Sequence, residues 1–201
     1  MKTYKNRHEL LDILGEQNIE YACEVGVQEG YYSRDILKSI PSLKKLYLVD
    51  LWKSQENYLD SANNNCQWKV LRKAKRMIQP WHEKVEILKG YSTEMCHKIS
   101  DESLDWVYID ARHDYCGCME DIEAYWPKIK PGGIMSGHDY HTSEEVTRVY
   151  SDQDWSVCMD GSINTGAVKG AVDEFAENNG LQVLVSYAEE MFFTWSLVKL
   201  K

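Results

Sequence analysis

The segment Tyr21-Ala-Cys-Glu-Val-Gly-Val-Gln-Glu-Gly-Tyr-Tyr-Ser33 constrains this chain more than any other. A short apolar run breaks into glycines at Gly26 and Gly30, and helical spacing resumes behind them. Glycine lets a backbone take positive φ and approach a ligand with no Cβ in the way, and a helix that opens there offers unpaired N–H groups. A second short apolar run, Leu46-Tyr-Leu-Val-Asp50, ends on a carboxylate twenty residues past Gly30. That is where an acid meets a ribose in a βαβ unit, so the two features together predict a nucleoside site. Gln28 stands where the dinucleotide fingerprint needs its second glycine, so the turn is not built to close on a pyrophosphate. Glu24, just ahead of the turn, would repel a phosphate and favour a ligand cation.

At 201 residues the chain, 1–201, suits one domain with a continuous core. Acidic residues outnumber basic ones 32 to 23, a net charge of −9, and the basic residues are scattered. Their one concentration, Lys69, Arg72, Lys73 and Arg76, has helical spacing and reads as a solvated helix face. Nucleic acid needs a clustered positive surface and is not expected as a partner. The first residues are polar, and no run of about 18 apolar residues occurs, so no membrane partner is expected and a soluble, cytoplasmic protein is. Six cysteines without a secretory leader read as reduced thiols, with Cys116 and Cys118 on a helix's first turn rather than around zinc.

Hydrophobic period and breakers predict an alternation of strands and helices. A helical N-terminal segment (1–20, helix over 8–16) precedes strand one at 21–25, a helix at 32–39, strand two at 45–50 and a helix at 63–78 that stops at Pro80. Strand three at 85–88, a helix at 92–99, strand four at 104–110 and a helix at 115–126 follow. Pro131-Gly-Gly133 punctuates before strand five at 134–138. A helix over 167–178 with Gly180 at its C-cap leads to strands at 181–186 and 192–200. Alternation of this kind gives a parallel sheet with helices on both faces. The last two strands are joined by too few residues for a parallel crossover, so they form a hairpin and one runs antiparallel.

The pattern Glu24-x-Gly26-x-x-x-Gly30 with Asp50 resembles the cofactor motif of class I S-adenosylmethionine-dependent methyltransferases, whose cofactor carries a sulfonium, an amino-acid tail and one ribose. A second stretch resembles a family of small members of that class. It comprises Ile109-Asp110-x-x-His113-x-Tyr115, then Asp121, Trp126-Pro127 and Pro131-Gly-Gly133, then His138-Asp139-Tyr140. The resemblance runs from about Tyr21 to the C-terminus and implies a Rossmann-like α/β fold with a seven-stranded, mostly parallel sheet, a C-terminal antiparallel hairpin and helices on both faces. It further implies that Glu24, Gly26 and Gly30 hold the methionine moiety, Asp50 and its neighbour Leu51 the ribose side, Ser92 the adenine edge, and Asp110 the cofactor's reacting end. Ala111-Arg112 departs from the family, which has Gly after the strand-four Asp.

Asp110 and Asp139 end adjacent strands, and ligands of open α/β sheets sit beyond those ends. Two mechanisms stay open. Asp110, Asp139 and His138 could hold Mg²⁺ or another divalent cation that lowers the pKa of an acceptor oxygen. Alternatively His113 or His138 acts as general base, with Asp110 among the orienting acids. Segments 52–65 and 140–165 lack regular pattern, carry Tyr58, Asn57, Asn63, Asn64 and Trp155, and are expected to cover the substrate. The expected function is O-methylation of a small-molecule acceptor. N-methylation, metal-free O-methylation and an inactive cofactor-binding subunit are the alternatives, and a nicotinamide oxidoreductase is opposed by Gln28. Exposed aromatics near the termini would suit a homodimer.

Overall fold

The computed structural model of the protein describes residues 2–55, 58, 63, 65–189 and 191–200. Its strands are β1 (Tyr21–Val25), β2 (Lys45–Asp50), β3 (Val85–Lys89), β4 (Leu104–Ile109), β5 (Ile129–Gly137), β6 (Leu184–Val185) and β7 (Trp195–Val198). All seven form one sheet in the order β3-β2-β1-β4-β5-β7-β6. The first five are parallel; β7 pairs antiparallel with β5 on one side and β6 on the other. The helices are α1 (Arg7–Gly15), α2 (Tyr31–Ser39), α3 (Gln67–Ile78), α4 (Ser92–Met95), α5 (Tyr115–Tyr125), α6 (Ser143–Thr147) and α7 (Ala167–Asn178).

Strand residues alternate between two buried faces. Leu46, Leu48, Trp106 and Tyr108 face a cluster with Leu10, Leu14, Ile36 and Ala74 from α1, α2 and α3. Val25, Val49, Val107 and Ile109 face Ile122, Tyr125, Val172 and Phe175 from α5 and α7. Burial on both faces is why these strands read as nearly unbroken apolar runs. The chain builds outward from β1 to β3 and returns beside β1 at β4, so the crevice of the switch point opens at the carboxyl ends of β1 and β4. Among the described residues no helix is long and apolar enough to cross a membrane.

Several expected boundaries move. β5 begins at Ile129 and absorbs Pro131-Gly-Gly133 in a bulge, since Leu104 pairs with Ile129 but Trp106 with Ile134. The hairpin strands are shorter than 181–186 and 192–200 because side chains take over the ladder. The Glu189 carboxylate accepts the Thr194 backbone N–H at 2.7 Å and the Thr194 hydroxyl at 3.1 Å. The expected helix at 92–99 is a single turn, α4, followed by a 3₁₀ turn at Cys96–Lys98. α3 starts at Gln67, with part of the preceding segment, Asn57 and Asn64 included, outside the described residues. Gly180 has φ +63° one residue beyond the C-cap Asn179. α6 lies in a stretch read as irregular, and its capping box of Thr142 and Glu145 is the sequence signal that marks it.

The expectation of reduced thiols fails for one pair. Cys116 at the start of α5 and Cys158, 42 residues on, form a disulfide with Cα atoms 5.7 Å apart. The number of cysteines says nothing about which thiols the fold brings within bridging distance. Cys23, Cys66, Cys96 and Cys118 are free.

Candidate active site

A cavity of about 360 Å³ opens at the carboxyl ends of β1 to β4, walled by Glu24, Gly26, Asp50, Leu51, Ser92 and Asp110. The protein's own backbone imposes the glycines. A Cβ on Gly26, at φ +88°, would lie 1.8 Å from the Asp110 carbonyl oxygen, so β1 and β4 could not close together. Gly30, at φ +77°, is not in the cavity wall; its missing Cβ faces the Ala74 backbone of α3 at 3.0 Å. Gln28 itself adopts φ +50°.

Asp50 braces this turn. Its Oδ2 accepts the N–H groups of Val27 (3.0 Å) and Gln28 (2.8 Å), and its Oδ1 accepts the Trp52 N–H at 2.7 Å. A carboxylate has about four acceptor positions, so one remains on Oδ1 for a ribose hydroxyl. Burial raises the Asp50 pKa despite the three N–H groups that stabilise its charge. Glu24 is 2 % exposed, takes a hydrogen bond from the Ser33 hydroxyl, and is pushed well above the usual carboxylate range by burial. Farther along the cavity, Asp121 stands beside Ser92. Burial lifts its carboxyl to about 7, against the lowering effects of the Ser92 hydrogen bond and the Arg112 charge.

At the other end, the two histidines meet one acid. Asp139, buried and at φ +60°, places Oδ2 3.1 Å from His113 Nε2 and Oδ1 3.2 Å from His138 Nδ1. Asp110 is farther from both, 3.8 Å from His113 Nε2 and 4.0 Å from His138 Nδ1. Asp110 and His113 line the cavity, whereas His138 and Asp139 stand behind them. Burial would lower the His113 pKa, but Tyr58, Asp139 and Asp110 outweigh it and hold it well above 6.5. His138 is raised the same way, by Asp139 and Asp110 against burial. Asp139 is correspondingly held far below the usual carboxylate range, burial notwithstanding. Trp155, 6 % exposed, lies over His113 with ring centroids 4.5 Å apart and packs on Phe192. The cysteine pair ties that segment to α5.

Among the described residues, Asp110, His113 and Asp139 can each offer one donor atom within 4.8 Å of the others. The set expected from sequence had His138 in place of His113. Sequence reading also missed Arg7, which reaches the cavity from α1. A lone cation in a polar N-terminal segment carries no periodic or motif signal.

The fold recurs in solved methyltransferases. The chain resembles cofactor-bound Rv0187 from MTB (16% identity, TM-score 0.64, 97% of this chain and 80% of that one). It also resembles the O-methyltransferase from Bacillus cereus solved in complex with SAH (16%, 0.61, 96% and 80%) and the N-methyltransferase NodS from Bradyrhizobium japonicum WM9 (12%, 0.61, 97% and 95%). The chain thus has the Rossmann-like fold of these methyltransferases. A model of the methyltransferase-domain family matches residues 23–140, more than half of the chain. The chain belongs to that family and is an S-adenosylmethionine-dependent methyltransferase. Among curated proteins, none matches it.

Proposed function

We propose that the protein methylates an oxygen of a small molecule, with His113 as the base and Asp139 as the residue that orients it. The carrying observation is the Asp139 carboxylate fixed between two imidazoles, with one of them, His113, on the cavity wall. The acceptor oxygen attacks the sulfonium methyl in line; the C–O bond forms as the S–C bond breaks, and the hydroxyl proton passes to His113. Nε2 of His113 faces Asp139, whose carboxylate accepts its N–H and orients the ring, the logic of an acid–imidazole pair. In the free protein burial opposes the imidazolium form of His113, and Tyr58, Asp139 and Asp110 favour it more strongly. The incoming sulfonium is a like charge, which lowers the imidazole pKa and so favours the neutral base when the cofactor is bound. A base of raised intrinsic pKa suits a hydroxyl acceptor. Glu24, Gly26 and Asp110 would surround the methionine end, Asp50 and Leu51 one ribose hydroxyl, and Ser92 with Asp121 the adenine edge.

The compact set of Asp110, His113 and Asp139 favours a second reading, a divalent cation of the Mg²⁺ or Mn²⁺ type held by those residues. Two carboxylates and an imidazole suit Mn²⁺ better than Mg²⁺. Such an ion would act as a Lewis acid on the acceptor oxygen. Asp139 would then exchange its histidine protons for the ion.

Methyl-labelled S-adenosylmethionine, incubated with the protein and small-molecule extracts of its source cells, tests the reading. Label in an O-methyl product formed in chelator supports it. Loss of transfer in chelator with recovery in Mn²⁺ selects the metal, and label on nitrogen alone refutes O-methylation.

A further inference from the structure

Three arginine and lysine side chains line the described cavity wall, and they are not equivalent. Arg112 is committed, with Nε and Nη2 on Asp114 at 3.0 and 2.8 Å and Nη1 on Glu120 at 3.0 Å. Lys53 follows β2 three residues past Asp50, on the ribose side. Arg7 comes from the first residue of α1, and its Nη1 is 4.0 Å from Asp110 Oδ2, too long for a hydrogen bond. Its guanidinium lies over the Tyr32 ring at 5.2 Å and beside the Tyr108 hydroxyl, which is buried without a hydrogen-bond partner among the described residues.

The segment that delivers Arg7 is tightly held. Tyr4 is fully buried, with its hydroxyl 2.8 Å from Ser196 Oγ and 3.2 Å from the Thr194 carbonyl oxygen. The Lys5 carbonyl accepts the Ala188 N–H at 2.9 Å, and the Glu189 carboxylate accepts the Arg7 N–H at 3.0 Å. Asn6 caps α1 by accepting the N–H groups of His8 and Glu9. A long, flexible cation is thereby aimed from a fixed base, which keeps the entropy cost of binding low.

Charge matching then assigns it. The cofactor's adenosine belongs at Asp50, Ser92 and Asp121, so its methionine end reaches the β1 and β4 tips, at Gly26 and Asp110. That end is zwitterionic. Glu24 and Asp110 answer its ammonium, and Arg7 is the arginine of the described wall that is not hydrogen-bonded to a carboxylate. We propose that Arg7 binds the carboxylate of the cofactor's methionine moiety, making the N-terminal segment part of the cofactor site. The assignment rests on the S-adenosylmethionine reading.

Titration calorimetry with S-adenosylhomocysteine, its decarboxylated analogue and 5′-methylthioadenosine tests it. The wild type should bind S-adenosylhomocysteine about ten- to a hundredfold tighter than the decarboxylated analogue, the range of a charge-assisted pair. Arg7→Gln should erase that preference while leaving 5′-methylthioadenosine affinity unchanged, and Arg7→Lys should restore part of it. Equal weakening of all three ligands in Arg7→Gln, or a change in acceptor KM alone, overturns the assignment. Should Arg7→Gln fail to fold, equal wild-type affinity for the first two ligands overturns it just as well. A wild type that binds none of the three removes the methyltransferase reading too.

Discussion

Asp50→Ala should cost stability before any ligand is added. A carboxylate whose only task is to hold a ribose can be removed from the free protein at little cost. Here it accepts three backbone N–H groups, and truncation orphans all three. Gln28 is exposed and water replaces its partner, whereas Val27 and Trp52 are buried. Leaving a buried donor unsatisfied costs about 1–3 kcal/mol, so the two together give about 2–6 kcal/mol. For a chain of this length that lowers Tm by roughly 4–24 °C. Asp50→Asn keeps one acceptor oxygen; with that oxygen toward Val27 and Gln28, its amide opposes the Trp52 N–H alone, and the loss is about 1–3 kcal/mol. Urea and thermal unfolding without cofactor measure both variants. An Asp50→Ala protein with the wild-type urea midpoint and Tm, weakened only in cofactor binding, would refute the bracing role.

Other perturbations follow from the same geometry. His113 and His138 are raised and Asp139 is lowered, so their mutual stabilisation is fully present between about pH 4 and 6.5. It is lost as pH rises through the folded-state histidine pKa values and as pH falls through that of Asp139; Asp139→Asn should flatten the stability–pH curve on the alkaline side, read by urea midpoints from pH 6 to 9. Ionised Asp121 can accept from the adenine amine, so S-adenosylhomocysteine affinity should rise up to about tenfold from pH 6 to 8 in the wild type and stay level in Asp121→Asn. Closing a loop of 42 residues by Cys116–Cys158 should contribute about 4 kcal/mol, seen as a lower urea midpoint in Cys158→Ser or under thiol reductant.

Sequence patterns reached those parts of the molecule that periodicity and turn chemistry control. β1 and β2 fall at the expected residues because strands buried on both faces announce themselves as apolar runs, and α7 does so through helical spacing. Strand-end acids and histidines were legible because an open parallel sheet brings its carboxyl ends together whatever the loops do. Partnership was not legible. Asp139, at φ +60°, lies nearer both imidazoles than Asp110 does, and Trp155 covers His113 from the 140–165 stretch, contacts that neither periodicity nor a turn motif marks. Arg7 and the cysteine pair escaped for the same reason, since Arg7 meets Asp110, and Cys116 meets Cys158, across more than forty residues of chain. Gly26 was legible as a special position, yet its neighbour is the Asp110 backbone.

The central claim, methyl transfer with His113 as the base, is tested most directly by comparing wild type and His113→Ala in chelator. S-adenosylhomocysteine affinity is measured by calorimetry, and transfer of labelled methyl to an O-acceptor by mass spectrometry. The account predicts affinities within a few-fold and transfer slower by roughly 10²–10⁴ in the variant, the usual contribution of general base catalysis. Equal transfer rates in the two proteins would contradict it.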